Sequence, residues 1–97
     1  MTKVLKNWFV YIIKCVDGSL YTGTTNDLQK RFEKHKIGKG AKYTRSHKPE
    51  KIVFFKKYDN KIVALQKERE IKNFTREEKI KFIKDSAFAK ASADKSG

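Results

Sequence analysis

Residues 8–23 read WFVYIIKCVDGSLYTG, and the reading of this stretch decides the fold. The aromatic and β-branched run at 8–16 is a strand. Asp17-Gly18 is a turn signal, and residues 19–23, SLYTG, form the return strand of a hairpin. The length of the turn then decides where two tyrosines point. A two-residue Asp-Gly turn pairs Val16 with Ser19 and sends Tyr11 and Tyr21 to opposite faces, because side chains alternate along a strand. A three-residue loop, Val16-Asp17-Gly18 with Gly18 left-handed, pairs Cys15 with Ser19. Tyr21 then pairs with Ile13, and Tyr11 lies diagonally beside it on the same face. The residues leave both registers open; a site shared by the two phenols needs the second, or another loop of odd length.

Outward from the hairpin, Asn26 or Asp27 can cap a helix running to about Lys36. Gly38 and Gly40 open a loop that ends near Pro49. Residues 51–58, KIVFFKKY, form a third strand. Asp59 or Asn60 caps a second helix over roughly 61–72. Thr75, with Glu78 three residues later, is a capping box for a third helix to about Lys84. The order β-β-α-β-α-α predicts an α+β fold with a three-stranded, mostly antiparallel sheet flanked by helices. It occupies residues 1–85 as one domain. The stretch 86–97 is built of Ala, Ser, Lys, Asp and Gly with one Phe, has no apolar period, and is expected to be a disordered tail.

Two helices carry charge on their apolar stripes. Leu28, Arg31, Phe32 and His35 stand at i, i+3, i+4 and i+7, so Arg31 and His35 lie one turn apart on the face of Leu28 and Phe32. The plain reading is a snorkelling arginine and a histidine at the core edge. In the second helix Ala64, Leu65, Glu68, Ile71 and Lys72 share a stripe. A carboxylate among apolar neighbours must be protonated, paired or bound to metal. A structural salt bridge is the plain reading of Glu68.

Composition narrows the classes of function. The chain has 97 residues, the size of one small domain. Lys+Arg is 24 against 11 Asp+Glu, a net charge of +13 that favours polyanions as partners. From Lys34 to Lys51 there are seven Lys/Arg and two His against one acid, Glu50, and Tyr43 sits among them. A solvated loop and a surface that tracks a nucleic-acid backbone both fit this run. Cys15 is the one cysteine, so neither an internal disulfide nor a Cys-based zinc site can form. No apolar run reaches 18 residues, so no membrane span is expected. A reducing cytoplasm is the expected location.

Phe9-Val10-Tyr11, followed ten residues later by Tyr21-Thr22-Gly23, resembles the paired motifs that name the GIY-YIG nucleases. Arg31 and His35 follow at the spacing of that family's first helix. Ala64-Leu65-Gln66-Lys67-Glu68 looks like its metal-binding glutamate motif. Leu20 to Gly23, together with Gly38-Lys39-Gly40-Ala41-Lys42-Tyr43-Thr44-Arg45, is similar to the small, stand-alone bacterial subfamily (YhbQ-like), which is related to the nuclease subunit of Slx-type endonucleases. The resemblance covers about residues 7–84 and implies a GIY-YIG fold. It implies a divalent-metal-dependent endonuclease that hydrolyses phosphodiester bonds in DNA, ahead of RNA, with branched or single-stranded forms as substrates in repair or recombination. The alternative on the same fold is a nucleic-acid-binding module of weak catalysis.

By the same resemblance, Tyr11 positions or deprotonates the attacking water and Tyr21 assists it or binds the scissile phosphate. Arg31 holds that phosphate, His35 relays a proton or binds phosphate, and Glu68 ligates a single Mg²⁺ or Mn²⁺. Arg31 and the metal are expected to bring the Tyr11 phenol, ordinarily near a pKa of about 10, toward neutrality. Lys39, Lys42, Tyr43, Arg45, Lys48 and Lys72 are expected to contact nucleic acid. There are departures from the pattern. Phe9 stands for the glycine of the first motif and Thr22 for the isoleucine of the second. Thr24 stands where some relatives have lysine, and Ile80 where larger ones have asparagine.

Overall fold

A computed structural model describes residues 7–86; residues 87–97, and with them nearly all of the expected tail, lie outside the described residues. Strand β1 (Trp8–Cys15) is followed by β2 (Leu20–Thr25), helix α1 (Leu28–Lys36), a short helix α2 (Lys42–Ser46), strand β3 (Pro49–Tyr58), α3 (Lys61–Lys72) and α4 (Arg76–Asp85). The sheet order is β2-β1-β3, and both pairings are antiparallel.

The unbroken apolar run of β1 explains its central place. Val10, Tyr11, Ile12, Ile13 and Cys15 are all buried, so the strand has no solvated face. Val10 and Ile12 pack with Phe54, Ala64 and Ile71, joined by Phe82 and Ile83, on the side covered by α3 and α4. Tyr11, Ile13 and Cys15 face the other way, against Leu28 and Phe32 of α1. Burying a side chain such as Ile12 contributes roughly 1.5–3 kcal/mol. This double-sided packing fixes the strand and therefore the sites attached to it.

The expected caps form. Asp27 Oδ1 accepts from Lys30 N–H (3.1 Å), and Asn60 Oδ1 accepts from Val63 N–H (2.9 Å). Thr75 and Glu78 make the reciprocal capping box at 3.1 and 2.8 Å. Several boundaries differ from the sequence reading: β1 ends at Cys15 rather than residue 16, and β2 is Leu20–Thr25 rather than 19–23. The segment read as a loop between Gly38 and Pro49 contains α2, so four helices form among the described residues rather than three. The five residues of α2 are too few to show a periodic stripe. Its start is held by Thr44, whose Oγ1 accepts from Ala41 N–H (3.3 Å) and donates to Ala41 C=O (3.1 Å). Strand β3 begins at Pro49 rather than residue 51, which an edge strand allows at its first residue. Among the described residues no helix is long and apolar enough to cross a membrane.

Candidate active site

The hairpin adopts the three-residue loop. Cys15 N–H bonds Ser19 O at 2.8 Å, Gly18 N–H bonds Cys15 O at 2.9 Å, and Gly18 takes φ +88°. A side chain is strained at that φ, so glycine is what permits this loop length. Asp17 closes it, accepting from Ser19 N–H (3.0 Å) and Ser19 Oγ (2.6 Å). Ile13 therefore pairs with Tyr21 and Tyr11 with Gly23. The two phenols share a face, with ring centroids 6.3 Å apart.

Gly23 has a second reason to be glycine. A Cβ there would stand 2.6 Å from Tyr11 Cζ, so the bare backbone lets the Tyr11 ring lie across β2. The Asp27 cap sets the phase of α1 and turns Arg31 and His35 toward this face. His35 is fully buried, with Nε2 2.9 Å from the Tyr11 hydroxyl and Nδ1 2.7 Å from Thr44 Oγ1. Gly40 backs the imidazole; a Cβ there would meet His35 Cγ at 2.6 Å. Burial, and then the nearby Arg31 charge, push His35 down to about 4, so the ring is neutral at pH 7. A neutral imidazole carries one N–H. Thr44 Oγ1 also lies 3.1 Å from Ala41 O; a hydroxyl proton directed there leaves Nδ1–H to donate to Thr44 and Nε2 to accept from Tyr11. The result is a continuous chain from Tyr11 through His35 to Thr44.

Arg31 is half-buried and donates from one terminal nitrogen to Gly40 C=O at 3.0 Å, which anchors the guanidinium. Its effect on Tyr11 has the expected sign but is outweighed. Burial dominates and pushes the phenol up to about 12, while a hydrogen bond and the charge of Arg31 pull it down and Tyr21 and Glu68 raise it further. Desolvation outweighs the arginine.

Glu68 arrives from the other side of the sheet. Thr24 pairs with Val10 and so faces α3. Its hydroxyl donates to Glu68 Oε1 at 2.7 Å, and Lys72 Nζ lies 2.9 Å from Oε2. The Glu68 side chain is 15% exposed. Four of the expected residues thus meet on one face, and the carboxylate reaches the edge strand from the opposite face, near enough for its charge to act on Tyr11. Among the described residues no group of three or more His, Cys, Asp or Glu could hold a metal. The oxygen donors of Glu68 and Thr24 nevertheless suit one hard divalent ion, which keeps several waters and takes substrate oxygens, provided that Lys72 moves aside.

The basic segment lies partly in α2. Lys39, Lys42, Arg45 and Lys48 are exposed. Tyr43 stacks on Tyr21 (5.7 Å, 28°) and on His47 (4.1 Å, 17°). His47 in turn bonds Asp17 Oδ2 at 2.8 Å. The ring of Tyr43 is thus already engaged, forming a ladder that leads outward from Tyr21. Lys72, expected on the nucleic-acid surface, is half-exposed but has its ammonium on Glu68.

Several residues escaped the sequence reading. Thr44 and Thr24 hold His35 and Glu68; in the sequence Thr44 is only part of the basic loop and Thr24 only a departure from the family pattern. Lys30, which the basic run from Lys34 left out, joins Lys34, Arg31, Thr25, Asn26 and Asp27 around a recess of about 220 Å³. Counting cations along α1 as well as along the loop would have found it.

The family description "GIY-YIG catalytic domain" matches residues 7–81. The UPF0213 proteins SAV0488 and SA0446 of Staphylococcus aureus strains Mu50 and N315 are each 51% identical over 77 residues, covering 79% of this chain and 94% of theirs. The solution structure of the UPF0213 protein BH0048 from Bacillus halodurans aligns with TM-score 0.56 and 39% identity, over 89% of this chain and 94% of that one. With the tyrosine pair, the arginine–histidine helix and the glutamate in place on a fold that these relatives share, the chain belongs to the GIY-YIG family, a nuclease family.

Proposed function

We propose that this protein is a divalent-metal-dependent endonuclease that hydrolyses phosphodiester bonds in DNA, with branched or single-stranded DNA as its substrates, in repair or recombination. The observation that supports it is the meeting of Tyr11, Tyr21, Arg31 and His35 on one face, with Glu68 close enough for its charge to act on Tyr11.

Arg31, held by Gly40 through one nitrogen, keeps further N–H groups for the scissile phosphate and the charge that develops on it. Tyr11 takes a proton from the attacking water as it passes its own to His35 Nε2. With its pKa near 4, His35 carries that proton only transiently, and Thr44 keeps the ring oriented. Tyr21, half-buried beside Tyr11, borders the phosphate. Bound at Glu68, one Mg²⁺ or Mn²⁺ would supply Lewis-acid charge to the phosphoryl oxygen and the leaving group.

The test is incubation with branched, flapped and single-stranded DNA in Mg²⁺ or Mn²⁺. Cleavage by the wild type that disappears in Glu68→Ala and Tyr11→Phe supports the reading; equal cleavage by all three is contamination and refutes it. A binding module of weak catalysis is the second reading. The phenol pushed up to about 12 and the lysine on Glu68 both favour it. It expects salt-dependent DNA binding with no metal-dependent cleavage.

A further inference from the structure

The acid at this site already holds a cation. Glu68 has Thr24 on one oxygen at 2.7 Å and Lys72 on the other at 2.9 Å. The two contacts are unlike. Thr24 belongs to β2 and is fixed by the sheet, so it holds Oε1 wherever the lysine goes. Lys72 follows Glu68 by four residues on α3, the favourable Glu-to-Lys order on a helix, and its side chain is half-exposed. The ammonium is therefore placed well enough to neutralise the acid and loosely enough to leave.

We propose that Lys72 is a resident stand-in for the divalent ion: it neutralises Glu68 at rest, yields its place when metal arrives, and is then free to bind a backbone phosphate. This rests on the reading of Glu68 as the metal ligand. Where a freed Lys72 goes follows from its surroundings. Lys79 lies near, and its pKa is lowered by burial first and then by the charge of Lys72. Half-exposed and off Glu68, Lys72 is an uncompensated positive charge, and an incoming phosphate is the partner that relieves it. Conversely, a phosphate that draws Lys72 away uncovers a carboxylate that needs a cation. Metal and nucleic acid thus favour each other's binding, and the coupling is reciprocal. The device also masks the lone acid from the phosphates as they approach.

The test measures Mn²⁺ affinity by electron paramagnetic resonance, with and without a single-stranded oligonucleotide. Every protein carries Tyr11→Phe to block hydrolysis, and ionic strength is held constant. Without DNA, Lys72→Met and Lys72→Gln bind Mn²⁺ about fivefold more tightly than the parent, since a competitor worth about 1 kcal/mol is gone. DNA tightens Mn²⁺ binding by a factor about fivefold larger in the parent than in either variant. Lys79→Met controls for through-space charge and changes both quantities less than twofold. Unchanged Mn²⁺ affinity in both Lys72 variants, or an equal gain in Lys79→Met, overturns the proposal. Glu68→Ala separates the two readings. If it binds Mn²⁺ as the parent does, the assignment of Glu68 fails and takes this proposal with it. If it loses the ion while the Lys72 variants match the parent, the metal site stands and only the stand-in role fails.

Discussion

The two faces of β1 are equally buried, but only one sets polar groups among its apolar ones. Val10 and Ile12 point into a core of Phe54, Ala64 and Ile71 that needs nothing but shape. Tyr11, one residue away from each, points into a face where a phenol, an imidazole and a hydroxyl must be matched atom for atom. Apolar burial stabilises by transfer from water, whereas buried polar groups recover little more than the desolvation they suffer. Apolar packing on both faces therefore makes the fold, and the polar groups of the second are carried by it.

Removing the Tyr11 hydroxyl tests this contrast hardest. Tyr11→Phe should lower metal-dependent cleavage by about 10²–10⁴-fold, the range of a lost acid–base group, while leaving the chain folded at a cost of about 1–2 kcal/mol for the unpaired His35. Gel-based rates and thermal melts measure the two effects. On the other face, Ile12→Ala should cost about 3 kcal/mol, from a buried side chain with no room to collapse, and should leave kcat of the remaining folded protein unchanged. Large kcat loss in Ile12→Ala, or unfolding of Tyr11→Phe, would dissolve the division between the faces.

Acid should find the polar face alone. His35 takes a proton near pH 4 when folded and near 6.5 when unfolded, so the unfolded chain binds the proton first. Stability is full above about 6.5 and falls by on the order of 2–3 kcal/mol as the pH drops toward 4. Urea titrations at pH 7 and pH 4.5 should show this loss in the wild type and in Ile12→Ala, and a smaller one in His35→Gln. The smallest effect expected is at Thr44. Thr44→Val leaves His35 Nδ1–H without a partner, for about 1–2 kcal/mol, and Thr44→Ser keeps the hydroxyl and most of the stability. Equal melting of the two variants would mean that the methyl, rather than the hydrogen bond, is what Thr44 contributes.

Legibility followed the range of the interactions. The strand runs, the Thr75 cap and the span Lys61–Lys72 depend on neighbours a few residues away and were readable, and Asn60 was one of two cap candidates. The stripe of Leu28, Arg31, Phe32 and His35 was readable for the same reason. The helix α2 was not, because five residues show no period and its start depends on a hydroxyl shared with His35. Nor was the engagement of Tyr43, whose stacking partners Tyr21 and His47 come together only through the fold. At Tyr11 the lowering by Arg31 was legible and the larger opposing effect of burial was not, because burial depth depends on the fold.

The chain by itself determined which residues are strand and helix, that the protein is a strongly basic small domain, and which five side chains were candidates for chemistry. Folding in three dimensions decided the hairpin register, which puts both phenols on one side. It also decided the Tyr11–His35–Thr44 chain of contacts and the arrival of Glu68 from the far face with a lysine already on it. The reason is distance along the chain. Caps and stripes are set by contacts within one turn, whereas Tyr11 meets His35 across 24 positions and Thr24 meets Glu68 across 44.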